Sequence, residues 1–215
     1  MSTTGKAVND EVVLFWNERY RQVQYAYGEE PNEFFKEKLK KVSPGRILFA
    51  AEGEGRNAVF AATLGWQVDA FDISVEGKKK ADALALKNQT KIDYQVGELS
   101  ELHYPENSFD AIVLIYAHVA PETRTAFHAR LNELLKIGGL IVFEGFSKKH
   151  PEYQAVNPQV GGPRDFASLF SLEEIKADFK NYNFIQLTEQ SVELKEGKFH
   201  IGTGSVIRFV GKKTS

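Results

Sequence analysis

Arg46-Ile-Leu-Phe-Ala-Ala-Glu-Gly-Glu-Gly-Arg-Asn-Ala58 decides the fold. The apolar run Ile47 to Ala50 reads as a strand that enters a Gly53-x-Gly55 turn, and Arg56 to Leu64 continues as a helix. Gly65 closes that helix, as the usual residue for a left-handed C-terminal position. Asp72 follows nineteen residues after Gly53, at the end of the alternating strand Gln67-Val-Asp-Ala-Phe-Asp72. Glycines take positive φ at little cost and let a ligand approach the main chain, where the first N–H groups of the helix are unpaired. A carboxylate ending the neighbouring strand accepts hydrogen bonds from ribose hydroxyls. The stretch therefore predicts an α/β protein that holds a nucleoside-bearing ligand.

Outward from this unit the chain alternates between element types. Upstream, Asp10 to Tyr20 and Asn32 to Lys41 carry apolar residues at helical spacing, and the Gly- and Pro-punctuated Tyr25 to Pro31 reads as a loop between them. Downstream, Ser74 caps a helix running to about Asn88, on which Lys78, Lys79 and Lys80 form a solvated charged face. Ile92 to Val96 is the third strand. Phe109 to Tyr116 is the fourth, apolar after Asp110 and so buried on both faces. Pro121 opens a helix that Gly138-Gly139 stops, and Leu140 to Phe143 is strand five. The polar, Pro- and Gly-rich Ser147 to Arg164 predicts a functional loop or lid. Ser171-Leu-Glu-Glu174 is a capping box for a helix ending near Phe179. Phe184 to Leu194 and Gly204 to Val210 pair as an antiparallel hairpin around Lys195-Glu-Gly197. Seven strands in this order predict an α/β fold: a mostly parallel sheet with helices on both faces, a C-terminal antiparallel β-hairpin, and ligands at the carboxyl ends of the strands.

At 215 residues the chain is most economically a single domain. Residues 1–44 are expected to be N-terminal helices capping the cofactor site and 45–146 the cofactor-binding core. Residues 147–170 are expected to be a loop or lid, and 171–215 the C-terminal helix and hairpin. Hydrophobic content of 42% and charged content of 26% are ordinary for a globular chain. A net charge of −2 supplies no basic field for nucleic acid. No apolar run approaches the roughly 20 residues that span a bilayer, and Met1 to Lys6 lacks the apolar segment of a secretory signal, so a cytoplasmic location is the plain reading. With no cysteine, disulfides, thiolate metal sites and a Cys nucleophile are excluded.

Gly53-Glu-Gly55-Arg-Asn-Ala58 fits G-x-G-x-x-G/A, a pattern that by itself does not separate NAD from S-adenosylmethionine. About 45 residues precede the first strand, the chain ends in a hairpin in place of further βαβ units, and none of the eight tyrosines opens a Tyr-x-x-x-Lys reductase pair. With the element order, Asp72 and Gly97-Glu-Leu99 after strand three, the chain resembles class I S-adenosylmethionine-dependent methyltransferases. Phe15-Trp-Asn-Glu-Arg-Tyr20 and Ala51-Glu-Gly-Glu-Gly-Arg-Asn-Ala58 are similar, more narrowly, to small tellurite-resistance and thiopurine-type methyltransferases. The resemblance covers most of the chain. It implies a Rossmann-like fold, S-adenosylmethionine as cofactor, and methyl transfer to a small-molecule acceptor such as a thiol or chalcogen compound.

The usual first motif of that family has Asp where this chain has Phe49 and Gly where it has Ala51, and the acid stands at Glu52. Glu52 is therefore expected to take over contact with the methionine ammonium. The cofactor set implied is Ala51, Glu52, Gly53, Gly55, Arg56 and Asn57 in the turn, Asp72 and Ile73 at the ribose, and Gly97, Glu98 and Leu99 at the adenine. Tyr116 lies beside the methyl group, and Tyr20 closes over from the first helix, although Trp16 and Tyr20 at i, i+4 are equally explained by packing.

His118, with Tyr116, ends strand four and is the candidate proton-handling residue, a structural histidine being the competing reading. Arg124, Arg164 and His200 are further candidate substrate contacts. None of the five histidines forms an H-x-x-x-H pair, so no metal is expected. Strand four ends in Ile-Tyr-Ala-His, unlike the Asn-Pro-Pro-Tyr type of enzymes that methylate base amino groups, which disfavours a nucleic-acid substrate. The expected partner is a small molecule, with the chain a monomer or homodimer. Two alternatives stand beside this reading: an NAD(P)-dependent oxidoreductase, and a non-catalytic cofactor-binding protein of the same fold.

Overall fold

The structure is a computed structural model that describes residues 10–215, so the Met1 to Lys6 stretch lies outside the described residues. Its sheet comprises β1 (Arg46–Ala50), β2 (Gln67–Asp72), β3 (Asp93–Val96), β4 (Phe109–Ile115), β5 (Leu135–Phe146), β6 (Tyr182–Glu196) and β7 (His200–Lys213), in the order β3-β2-β1-β4-β5-β7-β6. β1 to β5 are parallel, and β7 runs antiparallel to both β5 and β6. The helices are α1 (Asp10–Tyr20), α2 (Glu33–Leu39), α3 (Arg56–Thr63), α4 (Val75–Lys87), α5 (Pro121–Leu134), α6 (His150–Val156) and α7 (Leu172–Asp178). Strand order reverses between β1 and β4, which puts the crevice for a ligand at their carboxyl ends.

The apolar run of β1 is explained by cover on both faces. Ile47 and Phe49 point into a layer shared with α2, α3 and α4, while Leu48 and Ala50 point into one shared with α5 and α7. Helix ends follow local chemistry. Ser74 accepts from the Gly77 N–H to start α4, and Ser171 and Glu174 form the expected capping box of α7.

Three expectations are corrected. Helix α5 ends at Leu134, not at Gly138-Gly139, because Leu135 is fully buried opposite Phe109 and draws the chain into β5 before the glycines. The glycines fall in the irregular stretch between the Phe109–Leu135 and Ala111–Leu140 pairs, where Gly138 has φ 79°. The Ser147 to Arg164 segment, expected to be a loop or lid, is not all loop: it contains α6 and a 3-10 turn at Pro158–Val160. Gln154 of α6 is buried and its Nε2 donates to the carbonyls of Gly161, Gly162 and Pro163 at 2.6, 3.3 and 3.2 Å, which fixes the segment through tertiary contacts. The lysine run is only partly a solvated face, since Lys80 reaches inward to Glu54 at 2.7 Å while Lys78 and Lys79 pair along α4.

The β6–β7 hairpin outruns the rest of the sheet. β5 ends at Phe146 opposite Val206, so residues 200–205 project past the carboxyl edge. The tip meets the loop between α1 and α2: the Lys198 N–H donates to the Ala26 carbonyl at 2.9 Å, and a Cβ on Gly197 (φ 60°) would collide with the Ala26 and Tyr27 backbone. Among the described residues no helix is long and apolar enough to cross a membrane.

Candidate active site

The turn after β1 is built as its glycines require. Gly53 and Gly55 have φ 66° and 87°, and Ala51 adopts φ 52° without the freedom of glycine. A Cβ on Gly55 would lie 2.5 Å from that of Ala81, so this glycine lets α3 and α4 pack closely. A Cβ on Gly53 would lie 2.7 Å from the Tyr20 hydroxyl. Tyr20 is thus brought from α1 onto the turn, buried, and stacked on Trp16 at 5.3 Å between centroids.

Asp72 sits beneath this turn. Its Oδ2 accepts from the Gly53 N–H at 3.0 Å and its Oδ1 from the Ser74 N–H at 2.9 Å. Each oxygen keeps a further lone pair for a hydroxyl donor. Burial pushes its pKa up from 3.8 to about 6, against the pull of those N–H groups. Next along the edge, the Gly97 N–H donates to the Asp72 carbonyl at 3.0 Å, which places Gly97-Glu-Leu99 beside it. The Glu98 N–H meets Glu101 at 3.3 Å, Ile73 is half-buried, and Leu99 is buried in the α5 layer.

Glu52 occupies the start of α3. Its Oε1 accepts from the N–H groups of Asn57 and Ala58 at 2.9 and 2.8 Å, where the first turn of a helix offers unpaired donors to an anion. Burial raises its pKa to about 7, more than those bonds and Arg56 lower it. Acids crowd the rest of the turn. Glu54 is buried, receives the Ala26 N–H at 2.8 Å, and pairs with Lys80.

At the carboxyl ends of β4 and β5 lies a buried polar cluster that joins distant segments. Asn32, the N-cap of α2, donates through Nδ2 to Glu144 of β5 at 2.7 Å and to Glu196 of β6 at 2.9 Å, and its N–H donates to Asn57 Oδ1 at 2.9 Å. Arg56 bridges the glycine turn to the hairpin through Glu196 at 3.1 Å, and Arg208 pairs with Glu144. Arg56 and His200 hold the Glu196 carboxyl down at about 2, although burial opposes them. Tyr116 enters this cluster with φ 55°, a conformation costly for a bulky residue, secured by its N–H to the Glu144 carbonyl at 2.7 Å. Its hydroxyl is buried beside Glu144 without a hydrogen bond of ordinary geometry.

His118 is tied at both nitrogens. Nδ1 lies 2.9 Å from the Ser168 carbonyl, and Nε2 accepts from the Phe146 N–H at 3.2 Å. That pattern fixes the neutral tautomer, and burial lowers the pKa to about 4. Arg124 is likewise engaged, donating to the Ala167 and Leu169 carbonyls and pairing with Glu174, while Arg164 is exposed. His200 lies in the cluster against Tyr116 and Tyr27, each at 4.6 Å between ring centroids. Asn32, Glu144 and Glu196 did not emerge from the sequence as site residues. The one signal was an acid, Glu144, inside the otherwise apolar run Leu140 to Phe146.

A family model described as a methyltransferase domain matches residues 47–139, which hold the turn, Asp72, Gly97 and β4. Residues 47–139 thus carry the sequence pattern of a methyltransferase domain. Solved structures share its fold over nearly the whole chain at low identity. One is the protein of the disulfide-to-thioacetal conversion in echinomycin biosynthesis, with TM-score 0.75, 16% identity, and coverage of 94% of this chain and 92% of that one. Magnesium protoporphyrin IX methyltransferase (ChlM) from Synechocystis, with bound SAH, gives 0.70 at 15% identity, covering 95% of this chain and 99% of that one. TehB from Haemophilus influenzae gives 0.67 at 18% identity, covering 94% of this chain and 67% of that one. No curated protein matches the chain. The N-terminal helices, α6 and the hairpin surround the matched core.

Proposed function

We propose that the protein transfers the methyl group of S-adenosylmethionine to a small-molecule acceptor held between β4, α2 and the hairpin tip. The observation that carries this reading is Glu52 at the start of α3. A dinucleotide lays its pyrophosphate on such a helix end, but here a carboxylate already takes the N–H groups of Asn57 and Ala58 and adds negative charge. A cofactor with a sulfonium and an ammonium suits that environment, and on this reading Glu52 accepts from the ammonium. Gly53, Gly55, Ala51, Arg56 and Asn57 shape the turn against the cofactor. Asp72 with Ile73 takes the ribose hydroxyls, Gly97, Glu98 and Leu99 border the adenine, and Tyr20 covers the turn.

The small size of the acceptor follows from the roof, since the hairpin tip and the Ala26 to Asn32 segment close over the carboxyl ends of β4 and β5. Tyr116, strained and facing the cluster, contacts the acceptor. His118 is assigned a structural role in place of proton transfer, because both its nitrogens are spent. Methyl transfer from a sulfonium is an in-line displacement, so alignment and exclusion of water are the main demands. Thiols, chalcogen compounds and phenols are the acceptors to try with labelled cofactor. Calorimetric titration is expected to show saturable binding of S-adenosylhomocysteine and none of NADH. The opposite pattern overturns the reading in favour of an oxidoreductase.

A further inference from the structure

Three histidines surround the Phe146 ring, with centroids at 5.7 Å for His118, 4.0 Å for His150 and 5.1 Å for His200. Two of them are spent. His118 uses both nitrogens as described, and His150 sets Nε2 at 3.0 Å from the Gly161 carbonyl and takes the Ser205 N–H on Nδ1 at 3.2 Å. His200 differs. Its Nδ1 lies 3.1 Å from Glu196 Oε2, and Nε2 has no hydrogen-bond partner among the described residues. An ionised carboxylate on Nδ1 draws the proton of the neutral ring to that nitrogen and leaves a lone pair on Nε2. Contacts with Tyr27, Tyr116 and Phe146 hold the ring in one orientation above the end of β4.

We propose that His200, oriented by Glu196, is the general base of the reaction, and that the acceptor carries an ionisable O–H or S–H. This rests on the cofactor reading above. The acceptor heteroatom forms its bond to the methyl carbon as the sulfur–carbon bond breaks. The sulfur keeps the electron pair and leaves as the neutral thioether of S-adenosylhomocysteine. The acceptor proton passes to His200 Nε2, and the resulting imidazolium faces Glu196 until it loses the proton to water. Arg56 belongs to this arrangement as a positioning residue, since one guanidinium ties the cofactor turn to the carboxylate that orients the base.

The groups facing His200 set its working range. Burial lowers its pKa below 6.5 and outweighs the upward pull of Glu196 from β6, with Arg56 from α3 and Arg19 from α1 adding to the lowering. Tyr27, Tyr116, His118 and His150 complete the titratable surroundings. The ring is therefore neutral near pH 7, and the rate falls only as acid protonates it.

The test uses the full chain, labelled S-adenosylmethionine, phenol as an acceptor that keeps its proton near neutrality, and thiophenol as one that largely loses it. His200→Ala is expected to bind S-adenosylhomocysteine within about threefold of the parent. It should lose on the order of 100-fold in transfer to phenol, the usual worth of a general base, and about tenfold or less to thiophenol. Added imidazole should restore phenol methylation, an effect that a purely structural role does not produce. Glu196→Gln should lower phenol transfer and shift its pH profile. Long-range 1H–15N spectra of the wild-type complex with S-adenosylhomocysteine at pH 7.5 should show His200 protonated at Nδ1 and bare at Nε2. An Nε2–H tautomer, an imidazolium, or undiminished phenol transfer by a folded His200→Ala overturns the proposal. Failure of the wild-type chain to bind S-adenosylhomocysteine overturns the cofactor reading instead.

Discussion

Replacing Asp72 with Asn is expected to separate cofactor affinity from stability. Asp72 is 7% exposed and its two oxygens receive the N–H groups of Gly53 and Ser74. The rise of its pKa from 3.8 to about 6 converts to about 3 kcal/mol spent in keeping it ionised at neutral pH. Asn removes that cost but offers a single acceptor oxygen, so one of the two N–H groups faces an amide NH2, at about 1–3 kcal/mol. The effects oppose each other, and the ligand-free variant should stay within about 2 kcal/mol of the parent in urea unfolding. Affinity has no such offset. Two charge-assisted hydrogen bonds to ribose hydroxyls become neutral ones, a loss of about 2–3 kcal/mol in total, so the Kd for S-adenosylhomocysteine should rise about 30- to 150-fold by calorimetry. A pH series supplies a control. Because the folded chain holds the Asp72 proton more tightly than the unfolded chain does, this residue makes stability fall as pH rises from 3.8 to about 6, and that contribution disappears in the variant. Unchanged affinity in Asp72→Asn refutes the ribose assignment, and a loss of stability above about 4 kcal/mol refutes the energetic account.

Further outcomes follow from the same geometry. Glu52, with its pKa at about 7, must ionise to hold an ammonium, so S-adenosylhomocysteine affinity should fall as pH drops from 8 to 6. Glu52→Gln should flatten that slope and weaken binding about tenfold, as read by titration in buffers of different ionisation enthalpy. Arg56→Met leaves the half-buried Glu196 with only Asn32 and His200 as partners and should cost about 1.5–3 kcal/mol in thermal unfolding near pH 7. The low folded-state pKa of Glu196, about 2, means that it stabilises the fold above pH 4.5 and that this contribution is lost as pH falls toward 2; Arg56→Met should reduce that acid sensitivity. His118→Asn should lower stability by about 1–3 kcal/mol through its unpaired partners while leaving kcat for labelled methyl transfer within a few-fold.

Much of the scaffold was legible because it is set by local rules. The apolar run of β1, the cap at Ser74, the capping box at Ser171 and Glu174, and the glycine turn each follow from neighbours within a few residues, and the strand count and hairpin came with them. The errors occur where distant contacts decide. Nothing near Gly138 in sequence shows that Leu135 will be captured opposite Phe109, and the polar composition of Ser147 to Arg164 gives no hint that Gln154 will gather three carbonyls. The site divides in the same way. The turn and Asp72 were singled out through spacing, whereas Asn32, Glu144 and Glu196 meet across 112 and 164 residues and carry no motif. His118 was singled out for its position at the end of β4, but chemistry depends on which nitrogen is left over, and the chain order does not show that.

The span from Asn32 to Glu196 has a consequence for how the molecule is born. A loop of 164 residues must close before the roof exists, whereas the crevice beside the glycine turn and Asp72 needs only the first half of the chain. The entropic penalty of such closure grows slowly with length, yet distant contacts are made late. On the proposed reading the roof is the final piece of maturation: a nascent chain lacking its last twenty or so residues would display a finished floor beneath an open mouth, and turnover would report completion of the fold more sharply than ligand capture does.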